Sequence, residues 1–177
     1  MTDRQTVFES ERVVACRLIP ADAVYMAEAL NDPDVAGSFG TKYPYSQEDA
    51  RLFIEDAISN GKPKFALFIK DGERFLGECG FHIVGRAATC SLWIVRSFWN
   101  HGYGTEILKA MISFGLYSLD LQELHGYTVP DNAASIRMQK NAGFQFSDRI
   151  PEEAIGSRNK QGCLHSYVFR DGFEKDG

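Results

Sequence analysis

Cysteine is sparse and scattered in this chain: Cys16, Cys79, Cys90 and Cys163 form no C-x-x-C pair and no cluster with histidine at zinc-ligand spacing. A metal centre of that kind is therefore not expected, and buried free thiols are the reading, three of them in strand-like runs. No apolar run approaches the roughly 20 residues of a membrane span. The opening "MTDRQTVFESERVV" lacks an apolar leader segment, so the expectation is a cytoplasmic protein with no membrane partner. Basic residues are outnumbered 19 to 24, for a net charge of -5. Nucleic acid is not the expected partner, because its affinity comes from clustered Lys and Arg displacing counterions.

What is present suits an ordinary globular chain: 44% hydrophobic and 24% charged residues in 177, enough for one sizeable core, so residues 1–177 are expected to form a single α/β domain. "VVACRLI" (13–19) is β-branched and reads as a strand; "ADAVYMAEALND" follows as a helix, with Val24, Ala27 and Leu30 on one face. After the turn-rich stretch 31–46, Ser46 and Asp49 resemble a capping box opening a helix from about Gln47 to Asn60, with Leu52, Ile54, Ala57 and Ile58 apolar. "KFALFIK", a turn at Asp71-Gly72 and "RFLGECGFHIV" form a hairpin, extended by a third strand of that meander, "ATCSLWIV" (88–95). Helical spacing then runs from Gly104 to Asp120. A strand "ELHGYTV" (123–129), a helix from about Asn132 to Asn141, a strand near Phe144 and a last strand "LHSYVF" (164–169) complete the order β-α-α-β-β-β-α-β-α-β-β. Residues 151–162 read as a polar loop.

The stretch "RSFWNHGYGTEIL" (96–108) sets Gly102 and Gly104 where a strand gives way to a helix. A helix start offers unpaired N–H groups and partial positive charge, and glycine lets a phosphate approach the backbone. The stretch is thus either an anion site or simply a tight turn. A P-loop is excluded, because Thr105-Glu106 stand where Lys and Ser/Thr would be; a dinucleotide fingerprint is excluded by Ile107 and by the hairpin upstream.

Together with downstream residues, the stretch resembles the acetyl-CoA loop of the GNAT superfamily of N-acetyltransferases, and most closely its ribosomal-protein N-terminal acetyltransferase-like subfamily. The resemblance is carried by Phe98-Trp99, Gly102-Tyr103-Gly104-Thr105-Glu106, Asn132 with Ser135, and Gly143-Phe144, and extends loosely over residues 9–169. It implies a mixed, mostly antiparallel twisted sheet, split between the fourth and fifth strands counted from Val13 and flanked by about four helices. It also implies acetyl-CoA as co-substrate and a primary amine (a protein N-terminal α-amine or a small molecule) as acceptor, and it allows a homodimer, dimers being frequent among relatives. Backbone N–H groups from Trp99, Asn100, His101, Gly102, Tyr103, Gly104 and Thr105 would hold the pyrophosphate. Ile94 and Val95 would hydrogen-bond the pantetheine and polarise the thioester, with Asn132 reaching it from another side; as an alternative or additional role, Asn132 caps its helix.

Two departures from the family pattern matter. Trp99 replaces the usual Gln/Arg, and Gln139 stands where many members carry the tyrosine that protonates the leaving thiolate. Ser135 is then the candidate hydroxyl near the sulfur, or else a first-turn residue bonded to backbone. Glu78 is the candidate base, or else a paired carboxylate; Glu152 and Glu153 are weaker candidates in the loop. His101 could touch a phosphate, His82 and His125 have no assigned role, and His165 is followed by Ser166 rather than the Asp common in relatives. Phe39, Tyr43 and Tyr45 either meet the acceptor or pack on the core. The expected function is acetyl transfer to an amine by direct attack; the alternative is a noncatalytic acyl-CoA-binding or regulatory domain of the same fold.

Overall fold

The computed structural model describes residues 4–147 and 162–173. Strands β1 (Thr6–Glu9), β2 (Val13–Arg17), β3 (Lys64–Ile69), β4 (Arg74–Val84), β5 (Ala87–Ile94), β6 (Glu123–Thr128), β7 (Gln145–Ser147) and β8 (Leu164–Phe169) form an open sheet in the order β1-β2-β3-β4-β5-β6-β8-β7. The ladders β1–β2, β2–β3, β3–β4, β6–β8 and β7–β8 are antiparallel, and β5 pairs with β6 in parallel at Ala87–Glu123, Ala88–Leu124 and Thr89–His125. Five α-helices accompany the sheet among the described residues: α1 (Ala23–Leu30), α2 (Pro33–Phe39), α3 (Gln47–Ser59), α4 (Tyr103–Ser113) and α5 (Ala133–Ala142). No described helix is long and apolar enough to cross a membrane. The expected mixed sheet is present. The pair expected to split is β5 and β6, because β1 precedes the strand from which the count began.

The chain forms two compact units, one from residues 1–80 and 92–104, the other from 81–91 and 105–177. In the first, Met26, Leu30, Ile54, Phe68 and Trp93 join one buried cluster, each such side chain stabilising the fold by about 1.5–3 kcal/mol through lost water contact. Two expected helix faces are corrected here. Val24, Leu52 and Ile58 are half exposed, whereas the rest of both expected faces, Ala27, Leu30, Ile54 and Ala57, is buried as expected and is joined by Ala23, Met26 and Ala50. The helix start is as expected: Ser46 accepts from the N–H of Asp49, whose carboxylate accepts from the N–H of Ser46. Helix α2 was not foreseen among so many turn residues; Asp32 caps it, Pro33 sits at its first position and Gly40 ends it in the left-handed region.

The second unit buries Ile107, Leu108, Met111, Ile112 and Leu116. The expected long helix stops at Ser113 and passes into a single π turn, Phe114–Ser118, closed by Leu119 N–H to the Phe114 carbonyl. The register shift lets Gly115 meet Phe81 and Leu124, which a Cβ there would crowd at 3.1 Å.

A tighter approach sits in β4. Opposite β3 the register skips from Gly77 to Phe75, leaving Leu76 as a bulge. A Cβ on Gly77 would lie 2.1 Å from the Trp93 carbonyl oxygen, a backbone atom that cannot yield. Gly77→Ala is therefore expected to destabilise the protein by more than about 3 kcal/mol, read as a lower urea midpoint at an unchanged m-value.

Candidate functional site

The bulge sets the end of β5. Val95 N–H donates to the Leu76 carbonyl at 2.8 Å, and the Val95 carbonyl accepts from Phe98 N–H at 3.0 Å, closing the 3-10 turn Arg96–Phe98. Trp99 then uses both of its donors internally: its N–H bonds the Arg96 carbonyl and its indole Nε1 bonds the Ile94 carbonyl at 2.7 Å. Of the run Trp99–Thr105 expected to supply N–H groups, the first is thus engaged. A second hydrogen bond at the Ile94 and Val95 carbonyls is still chemically available, since each oxygen has two lone pairs.

Beyond Trp99 the backbone turns left-handed at Asn100 (φ 62°) and again at Gly102 (φ 82°), directly before α4 begins at Tyr103. Left-handed residues placed among right-handed ones turn successive N–H groups toward a common point, and the first turn of α4 adds its own donors. Asn tolerates this conformation better than most residues and Gly adopts it freely. The cradle suits a phosphate.

Arg12, which sequence inspection passed over, lies against the same loop. Its guanidinium sits 4.3 Å from the centre of the Tyr103 ring and donates to the His101 carbonyl at 3.3 Å. His101 places Nδ1 2.7 Å from the Trp99 carbonyl; a carbonyl only accepts, so Nδ1 carries the proton. Nearby, a groove of about 840 Å³ is bordered by Tyr25, Glu28, Glu73, Arg74 and Val95. Arg96, also on its wall, is paired with Asp34 at 2.7 Å.

Glu78 is 1% exposed. Trp93 Nε1 donates to it at 3.0 Å, and Lys64 Nζ stands 3.6 Å away. Burial first, and then the charges of Asp49 and Glu78, push the Tyr45 hydroxyl up to about 12. Phe39 packs on Trp93, Tyr45 is buried with its backbone held by Asn31, and Tyr43 is exposed. Two of the three aromatics therefore belong to the core.

In the second unit Asn132 caps α5, its Oδ1 accepting from Ser135 N–H at 2.9 Å. The Ser135 Oγ accepts from Gln139 Nε2 at 2.9 Å, and Gln139 Oε1 accepts from the Ser166 hydroxyl. His82 is exposed. His125 and His165 are buried and joined Nδ1 to Nε2 at 2.9 Å. Glu152 and Glu153, with residues 151–161 of the expected loop, lie outside the described residues.

The family model described as Acetyltransferase (GNAT) domain matches residues 12–145, more than half of the chain. The chain belongs to the GNAT acetyltransferase family. Uncharacterized N-acetyltransferase YoaA of Bacillus subtilis (strain 168) is 23% identical over 177 residues, covering 96% of this chain and 92% of that protein. Among solved structures, RimJ of Mycobacterium smegmatis in complex with CoA-disulfide has a TM-score of 0.78 at 15% identity, covering 95% of this chain and 89% of that one. Spermidine N-acetyltransferase of Vibrio cholerae, in complex with CoA and spermine, has a TM-score of 0.74 at 14% identity, covering 90% and 96%. At those identities the likenesses carry the fold. Family membership makes this GNAT protein an N-acetyltransferase that uses acetyl-CoA as co-substrate.

The buried histidine pair predicts an acid limb in the stability of this acetyltransferase. Burial, with a smaller push from His165, holds His125 below its ordinary value against the opposing pull of Glu123. As pH falls below about 6.5 the unfolded chain takes up the proton first, so stability is full above that pH and declines beneath it. Melting temperature should fall from pH 7 to pH 5.5, with a shallower slope in His125→Phe than in the native protein.

Proposed function

We propose that the protein transfers the acetyl group of acetyl-CoA to a primary amine by direct attack, within one N-acetyltransferase domain. The observation that carries this reading is the left-handed pair Asn100 and Gly102 at the head of α4 in a chain of this family. Backbone N–H groups of Asn100, His101, Gly102, Tyr103, Gly104 and Thr105 take the pyrophosphate. Trp99 fixes the loop rather than donating to the ligand. Arg12 adds a cation, as a phosphate site favours. The Ile94 and Val95 carbonyls accept from the pantetheine amides, and Asn132, while capping α5, offers Nδ2 to the same arm.

Bound acetyl-CoA supplies a thioester whose carbonyl carbon a neutral amine attacks, with departure of the CoA thiolate. The thiol of CoA is a far better acid than an alcohol, with a free pKa of about 8.5, so the chain needs to stabilise the leaving sulfur rather than protonate it fully. Ser135, half-buried at the first turn of α5, is the hydroxyl for that task. Glu78 is enclosed by Trp93 and Lys64, an arrangement that supports a structural charge pair better than a base in direct reach of the amine. The alternative, a domain that binds acyl-CoA without turnover, draws on Gln139, which cannot act as an acid.

Thiol release from acetyl-CoA should rise when an amine is added, and a panel of ribosomal-protein N-terminal peptides, polyamines, aminoglycosides and free amino acids would identify the acceptor class. Binding without amine-dependent release across the panel favours the noncatalytic alternative. Arg12→Ala and Gly102→Ala should each weaken acetyl-CoA binding by calorimetry, the latter by roughly 5- to 30-fold, the equivalent of about 1–2 kcal/mol of left-handed backbone strain. Glu78→Gln should lower stability by about 1–2 kcal/mol while leaving turnover within about threefold. A loss nearer a hundredfold, recovered at high pH, would instead make Glu78 the base.

A further inference from the structure

Gln139 is a poor residue to bury without purpose. It is 6% exposed and Ser166, its partner on β8, is fully buried. An amide taken out of water is costly unless it is hydrogen-bonded, whereas an aliphatic side chain on that helix position would carry no such demand. The amide is bonded at both ends, by Ser166 Oγ–H to Oε1 and by Nε2–H to Ser135 Oγ. The strand beside it is shaped to match. Gly126 on β6 pairs with Ser166, and a Cβ there would stand 2.5 Å from Ser166 Oγ and 2.7 Å from Gln139 Oε1.

The direction of the chain follows from burial. Ser166 has no solvent to receive its hydroxyl proton, and Gln139 Oε1 accepts it. The amide NH₂ is thereby turned toward Ser135, whose oxygen becomes an acceptor on its inner side. Reversed, the chain would leave the Ser166 proton in the interior and would turn the Ser135 proton inward. We infer that Ser166 and Gln139 are positioning residues that orient the Ser135 hydroxyl so that its proton points outward, as a hydrogen-bond donor to the departing CoA sulfur. The residue that displaces the family's usual acid thus directs its replacement.

This inference rests on the proposed transfer reaction and on Ser135 lying at the sulfur. The C–S bond breaks with its electron pair going to sulfur, the amine nitrogen bonds the acetyl carbon, and the surplus amine proton leaves to solvent. Ser135 keeps its proton and lends a hydrogen bond. Donors in series polarise one another, which strengthens the outermost bond.

The test compares the native protein with Gln139→Glu, Ser166→Ala, Ser135→Ala and the double variant Gln139→Glu/Ser135→Ala. Gln139→Glu is nearly isosteric, but its carboxylate only accepts, so it draws the Ser135 proton inward. Two readouts are needed: kcat and KM for acetyl-CoA, and the pKa of the bound CoA thiol followed by thiolate absorbance, which requires no turnover. Gln139→Glu should lower kcat about tenfold or more with KM within twofold, and raise the bound-thiol pKa by about half a unit or more. Ser166→Ala should act in the same direction but less, since it frees the amide to turn without adding charge. It also serves if Gln139→Glu fails to fold. The double variant should be no worse than Ser135→Ala alone, as expected of groups acting as one unit. Losses that multiply, or a bound-thiol pKa that none of the variants moves, would overturn the relay. Failure of the native protein to bind CoA would overturn the transfer reading beneath it.

Discussion

The hydrogen bond from Val95 N–H to the Leu76 carbonyl is the constraint on which the candidate phosphate site depends. It forms because β4 bulges at Leu76 and because Gly77 has no side chain to collide with the Trp93 carbonyl. With Val95 pinned, its own carbonyl can close the turn through Phe98, and the Trp99 indole can fasten back onto Ile94. From that anchored start two left-handed residues, Asn100 and Gly102, bring the chain to Tyr103 at the head of α4. A rigid strand end, rather than a rigid loop sequence, gives the cradle its shape.

Polar burial organises the rest of the chemistry. Three polar side chains have partners of complementary kind: Glu78 has Trp93 and Lys64, Gln139 has two serines, and the Asn31 amide holds both the N–H and the carbonyl of Tyr45. Such pairs contribute modestly to net stability when satisfied and are expensive when broken. They specify orientation more than they add strength. In the chain Ser166–Gln139–Ser135 the direction of the hydrogen bonds is set by which end is out of contact with water.

Ser46 with Asp49 announced the start of α3, since a capping box is a local contact that needs nothing from the rest of the chain. On α1 the apolar set was read as Val24, Ala27 and Leu30, yet Met26 is buried and Val24 is half exposed. A short helix rich in apolar residues offers several similar faces, and packing selects among them. Asp32-Pro33 and Gly40 bound a helix that was read only as turn, because the same residues serve both roles. Arg12 was invisible as a site residue. It stands 89 positions from the carbonyl to which it donates, and nothing local distinguishes it from any surface arginine.

By itself the sequence determined the order of strands and helices apart from β1 and α2, the capped starts of α3 and α5, the glycine-bearing entry to α4 and, through motifs at fixed spacing, the family. These are local or short-range features, encoded by side-chain periodicity, by left-handed glycine and by residues that bond their own backbone neighbours. Tertiary structure alone decided that the Trp99 and Val95 N–H groups are spent inside the fold, that Arg12 joins the loop, that Glu78 is enclosed, and that Gln139 links Ser166 to Ser135. Each of those outcomes depends on which distant atom arrives within hydrogen-bond reach and on whether water is excluded when it does. Neither condition is written in the neighbourhood of the residue concerned.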